Sequence, residues 1–125
     1  MSIANFLLGI WLFTGIVYRG EELPRPNPNL QMQIMFLNDR QFKIQYSYTG
    51  ESGFCESASD YSYYQEGNLL HSKVVWLNPE NSSTCDQDPD MRIGNQAVSE
   101  IYFKDDKLHL KLRLGDEDIV LLWEK

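Results

Sequence analysis

The chain has 125 residues, of which 42% are hydrophobic and 23% charged, and a formal net charge of −7. That is the length and composition of one ordinary globular domain spanning residues 1–125, able to bury roughly two-thirds of its unfolded surface, and it excludes a disordered chain. So acidic a surface repels phosphate backbones and anionic lipid, so no nucleic-acid partner is expected.

The first informative stretch is LLGIWLFTG, residues 7–15. Residues 1–6 carry no Lys or Arg, and no A-x-A-like cleavage site follows, so it is not the core of a signal peptide. The run ends at Tyr18-Arg19-Gly20, far short of the ~20 apolar residues of a membrane span. Gly9 and Gly15, with β-branched Ile10, Thr14, Ile16 and Val17, disfavour a buried helix and favour a strand over 9–19. No helix longer than a turn or two is expected, with residues 2–8 the one exception. Next comes GEELPRPNPN, residues 20–29, read as a proline-rich loop.

Alternating segments then follow, each the mark of a half-buried strand. LQMQIMF aligns Met32, Ile34 and Phe36 in a strand over 30–37. QFKIQYSY sets Phe42, Ile44, Tyr46 and Tyr48 against Gln41, Lys43, Gln45 and Ser47 in a strand over 41–49. Strands over 57–65, 69–77 and 97–104 are followed by KLHLKLRL in 107–114, where Leu108, Leu110, Leu112 and Leu114 share a face. The eighth, 118–124, is apolar on both faces, so something must cover its outer side: the N-terminal Ile3, Phe6 and Leu7, or a second copy in a homodimer.

The connections set the topology. NDR (38–40), EGN (66–68) and DD (105–106) are short and turn-forming, whereas 20–29, 50–57 and 78–95 are long. In an up-and-down meander the tight turns then gather at one end and the long loops at the other, with 115–117 a short exception. Eight strands suffice to close, which removes exposed edges. The expected fold is therefore all-β: an eight-stranded antiparallel up-and-down β-barrel without a C-terminal helix. Closure through the first and eighth strands brings Trp11 near Trp123, both plugging the tight-turn end. Cys55 and Cys85 both fall among the long loops, so a bridge is geometrically sound. It would close about 30 residues and contribute roughly 3–4 kcal/mol. A bridge implies an oxidising, extracytoplasmic compartment (periplasmic or secreted), and hence a mature chain without its leader.

Gly9-Ile10-Trp11 on a first strand, followed by an eight-stranded meander with one open end, resembles the lipocalins and the wider calycin group. Their first-strand motif is G-x-W, with the Trp closing the barrel floor. The resemblance covers nearly the whole chain in strand order and implies a cavity for a small hydrophobic molecule. The chain departs from it in reading IYFKDDKLHL where many members carry a T-D-Y-like motif. It ends with Glu124-Lys125, where Lys125 is a candidate stand-in for the Arg that packs on the Trp. It looks like a minimal, bacterial-type lipocalin.

Catalytic chemistry is thin. His71 and His109 both fall on polar strand faces, where a solvated role is expected. Neither a nucleophile elbow nor a phosphate loop is present, so no enzyme and no cofactor is expected. Asp86, Asp88 and Asp90 alternate like hard-cation ligands, but no bidentate Glu or turn glycine follows and Pro89 constrains the loop, so a solvated acidic loop and no metal is the reading. Asn81-Ser82-Ser83 matches a glycosylation sequon.

The aromatic interior is the sharpest feature. Taken inward are Trp11, Phe13, Val17, Met32, Ile34, Phe36, Phe42, Ile44, Tyr46, Tyr48, Tyr61, Tyr63, Leu70, Val74, Trp76, Ile101, Phe103, Leu108, Leu110, Leu112 and Leu121. A barrel of this size is either filled or holds one small ligand. If open, the expected ligand-binding set is Val17, Ile34, Phe36, Ile44, Tyr46, Tyr48, Tyr61, Trp76, Ile101, Leu110 and Leu112. A fatty acid or other lipid-class ligand is the expectation. The alternative is a filled barrel whose rim loops bind a protein, as small protease inhibitors do.

Overall fold

The computed structural model describes residues 7–114 and 116–125, with Leu114 described by its backbone only. Nine antiparallel strands form one sheet: β1 (Gly9–Tyr18), β2 (Glu21–Pro24), β3 (Leu30–Phe36), β4 (Gln41–Tyr48), β5 (Cys55–Tyr64), β6 (Leu69–Leu77), β7 (Gln96–Lys104), β8 (Lys107–Leu114) and β9 (Glu117–Glu124). From β3 onward each strand pairs with the next, and β9 returns to β1 to close the barrel. Eight strands make the closed wall, as expected, and among the described residues there is no helix of seven or more residues. The expected helix over 2–8 lies almost wholly outside the described residues.

The extra strand is β2. Arg19 and Gly20 both take positive φ, 53° and 77°, the signature of the tight hairpin turn whose twist matches its strands. That turn folds Glu21–Pro24 back on Gly15–Tyr18. Residues 20–29 are thus not all loop: β2 occupies the β1 edge that the lower part of β3 occupies over Gly9–Leu12. Pro24, lacking an N–H, suits a strand with a free edge. A Cβ built on Gly15 would lie 2.7 Å from the Leu23 carbonyl oxygen, so only glycine lets β2 approach this closely.

Two bulges decide which side chains point inward. The β1–β9 register shifts between Phe13 and Gly15, and the β5–β6 register between Ala58 and Ser59. An unpaired residue flips the facing of everything after it. Trp11 and Phe13 point into the barrel, and beyond the bulge Ile16 and Tyr18 do, not Val17. On β6, Leu70 and Val74 are buried, and past the bulge at Val75 it is Leu77 that packs inward, against the Cys55–Cys85 cluster. Trp76 lies on the outer wall in register with Ala58 and Lys43, with the Lys43 ammonium 4.8 Å from its ring centroid. The expected inward facing of Val17 and Trp76 is corrected on these grounds.

The tight-turn end is packed solid. Leu7, Trp11, Phe13, Ile34, Phe36, Phe42, Tyr61, Leu70, Ile101, Leu108 and Trp123 form one buried cluster. The Trp11 indole N–H donates to the Leu7 carbonyl at 2.8 Å, and Trp123 tilts against Phe13 at 5.5 Å between centroids. The Lys125 ammonium sits 4.9 Å from the Trp11 ring centroid, in the position expected of a basic stand-in. The Trp123 indole N–H has no acceptor among the described residues, which costs about 1–3 kcal/mol.

The outer side of β9 is covered by the chain itself. Leu122 is 1% exposed, and the Lys107–Glu22 ion pair at 2.5 Å reaches across from β8 to β2 on that face. His109, expected to be solvated, is only 9% exposed there. It stacks on Tyr102 at 4.9 Å, and its Nδ1 lies 3.1 Å from the Lys107 carbonyl oxygen. His71 is exposed, as expected, edge-on to Tyr64. Leu7 goes to the core, so it does not clothe the eighth predicted strand; Ile3 and Phe6 lie outside the described residues.

Candidate functional site

Above the packed floor the inward side chains become aliphatic and half-buried. Leu30 and Met32 of β3, Ile44 of β4, Leu110 and Leu112 of β8, and Ile119 and Leu121 of β9 lie here, with Tyr18 and Leu23 beside them. Their register makes them neighbours: Met32 is opposite Tyr46, Ile34 opposite Ile44, Leu110 opposite Leu121, and Leu112 opposite Ile119. This half-buried aliphatic layer, the vestibule, spans about four residues of strand, or about 13 Å at 3.3 Å per residue.

The rim is pinned by residues 78–95. Cys55 and Cys85 form a disulfide with Cα atoms 5.7 Å apart, and Met91, Tyr46 and Leu77 pack around it. Asn81 accepts from the Glu56 backbone N–H at 2.8 Å and donates to its carbonyl at 3.0 Å. The Asn81 carboxamide thus helps to hold the loop through both its oxygen and its nitrogen. The Tyr46 hydroxyl donates to Asp88 at 2.8 Å, and the other Asp88 oxygen accepts from the Asp90 N–H at 2.9 Å. Burial first, and the Asp88 carboxylate next, push the Tyr46 phenol well above the ordinary tyrosine range. Burial and the neighbouring Asp88 also raise Asp90. Asp88 therefore works as a loop clamp, and among the described residues no three His, Cys, Asp or Glu gather as a metal site.

Beside this clamp lies a cleft of about 400 Å³, walled by Tyr46, Tyr48 and Phe54 and edged by Glu51, Ser52, Ser82, Thr84 and Asp88. Tyr46 and Tyr48 meet edge to face, their centroids 6.2 Å apart. Charge is distributed as unevenly as packing. Residues 19–29, 49–54, 78–95 and 113–118, which make the long-loop end, hold ten of the eighteen acidic residues and four of the eleven basic ones. Ten against four is −6 of the chain's −7, leaving eight against seven everywhere else. Arg19 is engaged with Glu117, and Arg25 with the carbonyls of Leu30 and Pro28.

The sequence-derived ligand set divides three ways. Ile44, Leu110 and Leu112 line the vestibule, Tyr46 stands between vestibule and cleft, and Tyr48 is at the rim, 39% exposed. Ile34, Phe36, Tyr61 and Ile101 lie in the packed floor; Ile101 is 0% exposed, and the Tyr61 hydroxyl donates to the Asn38 carbonyl at 2.6 Å. Val17 and Trp76 are on the outer wall. Unforeseen were Tyr18, hidden by the β1 bulge, and Leu23, hidden in a stretch read as loop. No protein-family model, curated protein or solved structure matches the chain. Among the described residues no helix is long and apolar enough to cross a membrane.

Proposed function

We propose that this chain is a non-enzymatic, lipocalin-like binding module that holds the apolar part of a small hydrophobic or amphipathic molecule, of the fatty-acid or lipid class, in its open half. One observation carries the reading: inward aliphatic side chains stay only partly buried above a floor that is fully packed. Unsatisfied apolar surface of this kind gains about 0.8 kcal/mol for each methylene it takes out of water. The depth suits a medium-length alkyl chain. The Lys125–Trp11 contact and the closed eight-strand wall support the lipocalin-like assignment. The disulfide is consistent with an extracytoplasmic setting.

The test is displacement of a polarity-sensitive dye by decanol, with the full chain and two variants, Leu110→Glu and Leu112→Trp. The expected outcome is saturable one-to-one binding, lost in both variants while the far-ultraviolet circular dichroism is retained. Absence of saturable binding, or binding indifferent to both substitutions, overturns the reading. A second reading, rim loops that dock a protein, draws on the stapling of residues 78–95 by Asn81, the disulfide, Asp88 and Met91, which presents that loop rigidly. It becomes the better one if the dye test fails.

A further inference from the structure

We propose that the ligand's polar end is a cation, an ammonium or quaternary ammonium group seated in the cleft between residues 49–54 and 82–88, with its apolar tail in the vestibule. This rests on the binding-module reading above and names the ligand class. It starts from the walls of the cleft. Three aromatic residues, Tyr46, Tyr48 and Phe54, line one cleft of about 400 Å³ together with Glu51 and Asp88. Aromatic faces carry negative quadrupole charge and attract an ammonium group within about 6 Å. Carboxylates beside such rings supply the countercharge.

Among the described residues the ion pairs Arg19–Glu117, Lys107–Glu22, Lys111–Glu100 and Lys111–Asp118 do not neutralise those carboxylates: none involves Glu51, Asp86, Asp88 or Asp90. The Tyr46 hydroxyl does donate to Asp88, but a phenol leaves the negative charge in place. The surrounding field has the same sign, since the long-loop end carries −6 of the net charge. A fatty-acid carboxylate would meet like charge at the mouth, whereas a cation of equal tail length would be drawn in. Tyr46 gives the two compartments a common wall: it lines the cleft, and it stands opposite Met32 and two residues above Ile44 on the same face of β4. A molecule with its head at Tyr46–Tyr48 places its tail among Met32, Ile44, Leu110 and Leu112.

The test is isothermal titration of the full chain with decyltrimethylammonium, decanol and decanoate, each kept below its micellar concentration, at 20 and 300 mM NaCl. The proposal expects one saturable site, with the ammonium compound at least about tenfold tighter than decanoate at low salt and that ratio shrinking at high salt. The preference should disappear in Glu51→Gln/Asp88→Asn and persist in Glu66→Gln/Asp106→Asn, which removes the same charge from the opposite end. Decanol or decanoate binding as tightly as the cation overturns the proposal and leaves the binding-module reading standing. Equal loss of preference in both double variants, or multiple unsaturable sites for the cation, overturns it as mere attraction to an acidic protein. If none of the three binds, the proposal and the reading beneath it fall together.

Discussion

The two halves of this barrel are built from the same strands and differ in what their inward positions hold. Toward the tight turns the positions carry rings: Phe36, Phe42 and Tyr61 meet at 5.4–5.7 Å between centroids, and Trp123 lies on Phe13. Small residues make room for them, as buried Ser59 stands in register between Phe42 and Val74. Toward the long loops the same strands carry Met32, Ile44, Leu110, Leu112 and Leu121, and no aromatic ring opposes most of them. An eight-stranded barrel has just the diameter that side chains can fill. Whether a given layer is core or cavity is therefore decided by side-chain volume, layer by layer.

The sharpest way to break that comparison is to delete one side chain from each half. Phe36→Ala should lower the unfolding free energy by about 3–5 kcal/mol, while Leu112→Ala should cost no more than about 1–2 kcal/mol. Equal losses in urea unfolding would mean that the two halves are packed alike. Next in size is the rim. Replacing Cys55 and Cys85 by serine removes a link across 30 residues, for an expected loss of about 3–4 kcal/mol. The near-ultraviolet signal of Trp11 and Trp123, at the far end, should be unchanged under native conditions. Loss of that signal would mean that the halves do not behave separately.

The smallest effect is alkaline. Burial, with Asp39 second, lifts the Tyr61 phenol to about 12, and Tyr46 is raised further at the rim. A raised phenol favours the folded state fully below the unfolded value near 10, and that contribution is lost as pH climbs through the folded value. Absorbance at 295 nm should thus show Tyr61 and Tyr46 ionising only as stability falls. Ionisation of either phenol near pH 10 in folded protein would contradict the burial assigned to both.

Strict alternation made β3, β4 and β8 legible residue by residue, and the lengths of the connections made the closed meander and the Cys55–Cys85 pairing legible with them. What alternation cannot carry is a bulge. Thr14 and Val75 each sit where the pairing register slips, and neither residue type announces it, so alternation alone puts Val17 and Trp76 on the wrong side. Glu21–Pro24 was illegible for a different reason. Its two acids and a proline look like loop, and only the Arg19-Gly20 turn, with both φ positive, returns it to β1. His109 is buried between Tyr102 of β7 and Leu122 of β9, a tertiary fact with no local mark. The division into floor and vestibule needed volumes in three dimensions, which is why Ile34, Phe36, Tyr61 and Ile101 were grouped with Ile44, Leu110 and Leu112.

The most direct test is a methyl-resolved NMR titration with decyltrimethylammonium, followed in parallel with decanol. The half-packed, half-open barrel predicts saturable shifts at Met32, Ile44, Leu110, Leu112, Ile119 and Leu121, and none beyond small propagated changes at Ile34, Ile101 and Leu108. Shifts as large at Ile101 as at Leu112 would mean that the floor opens to ligand. Shifts confined to residues outside the barrel interior would contradict the vestibule as a binding site.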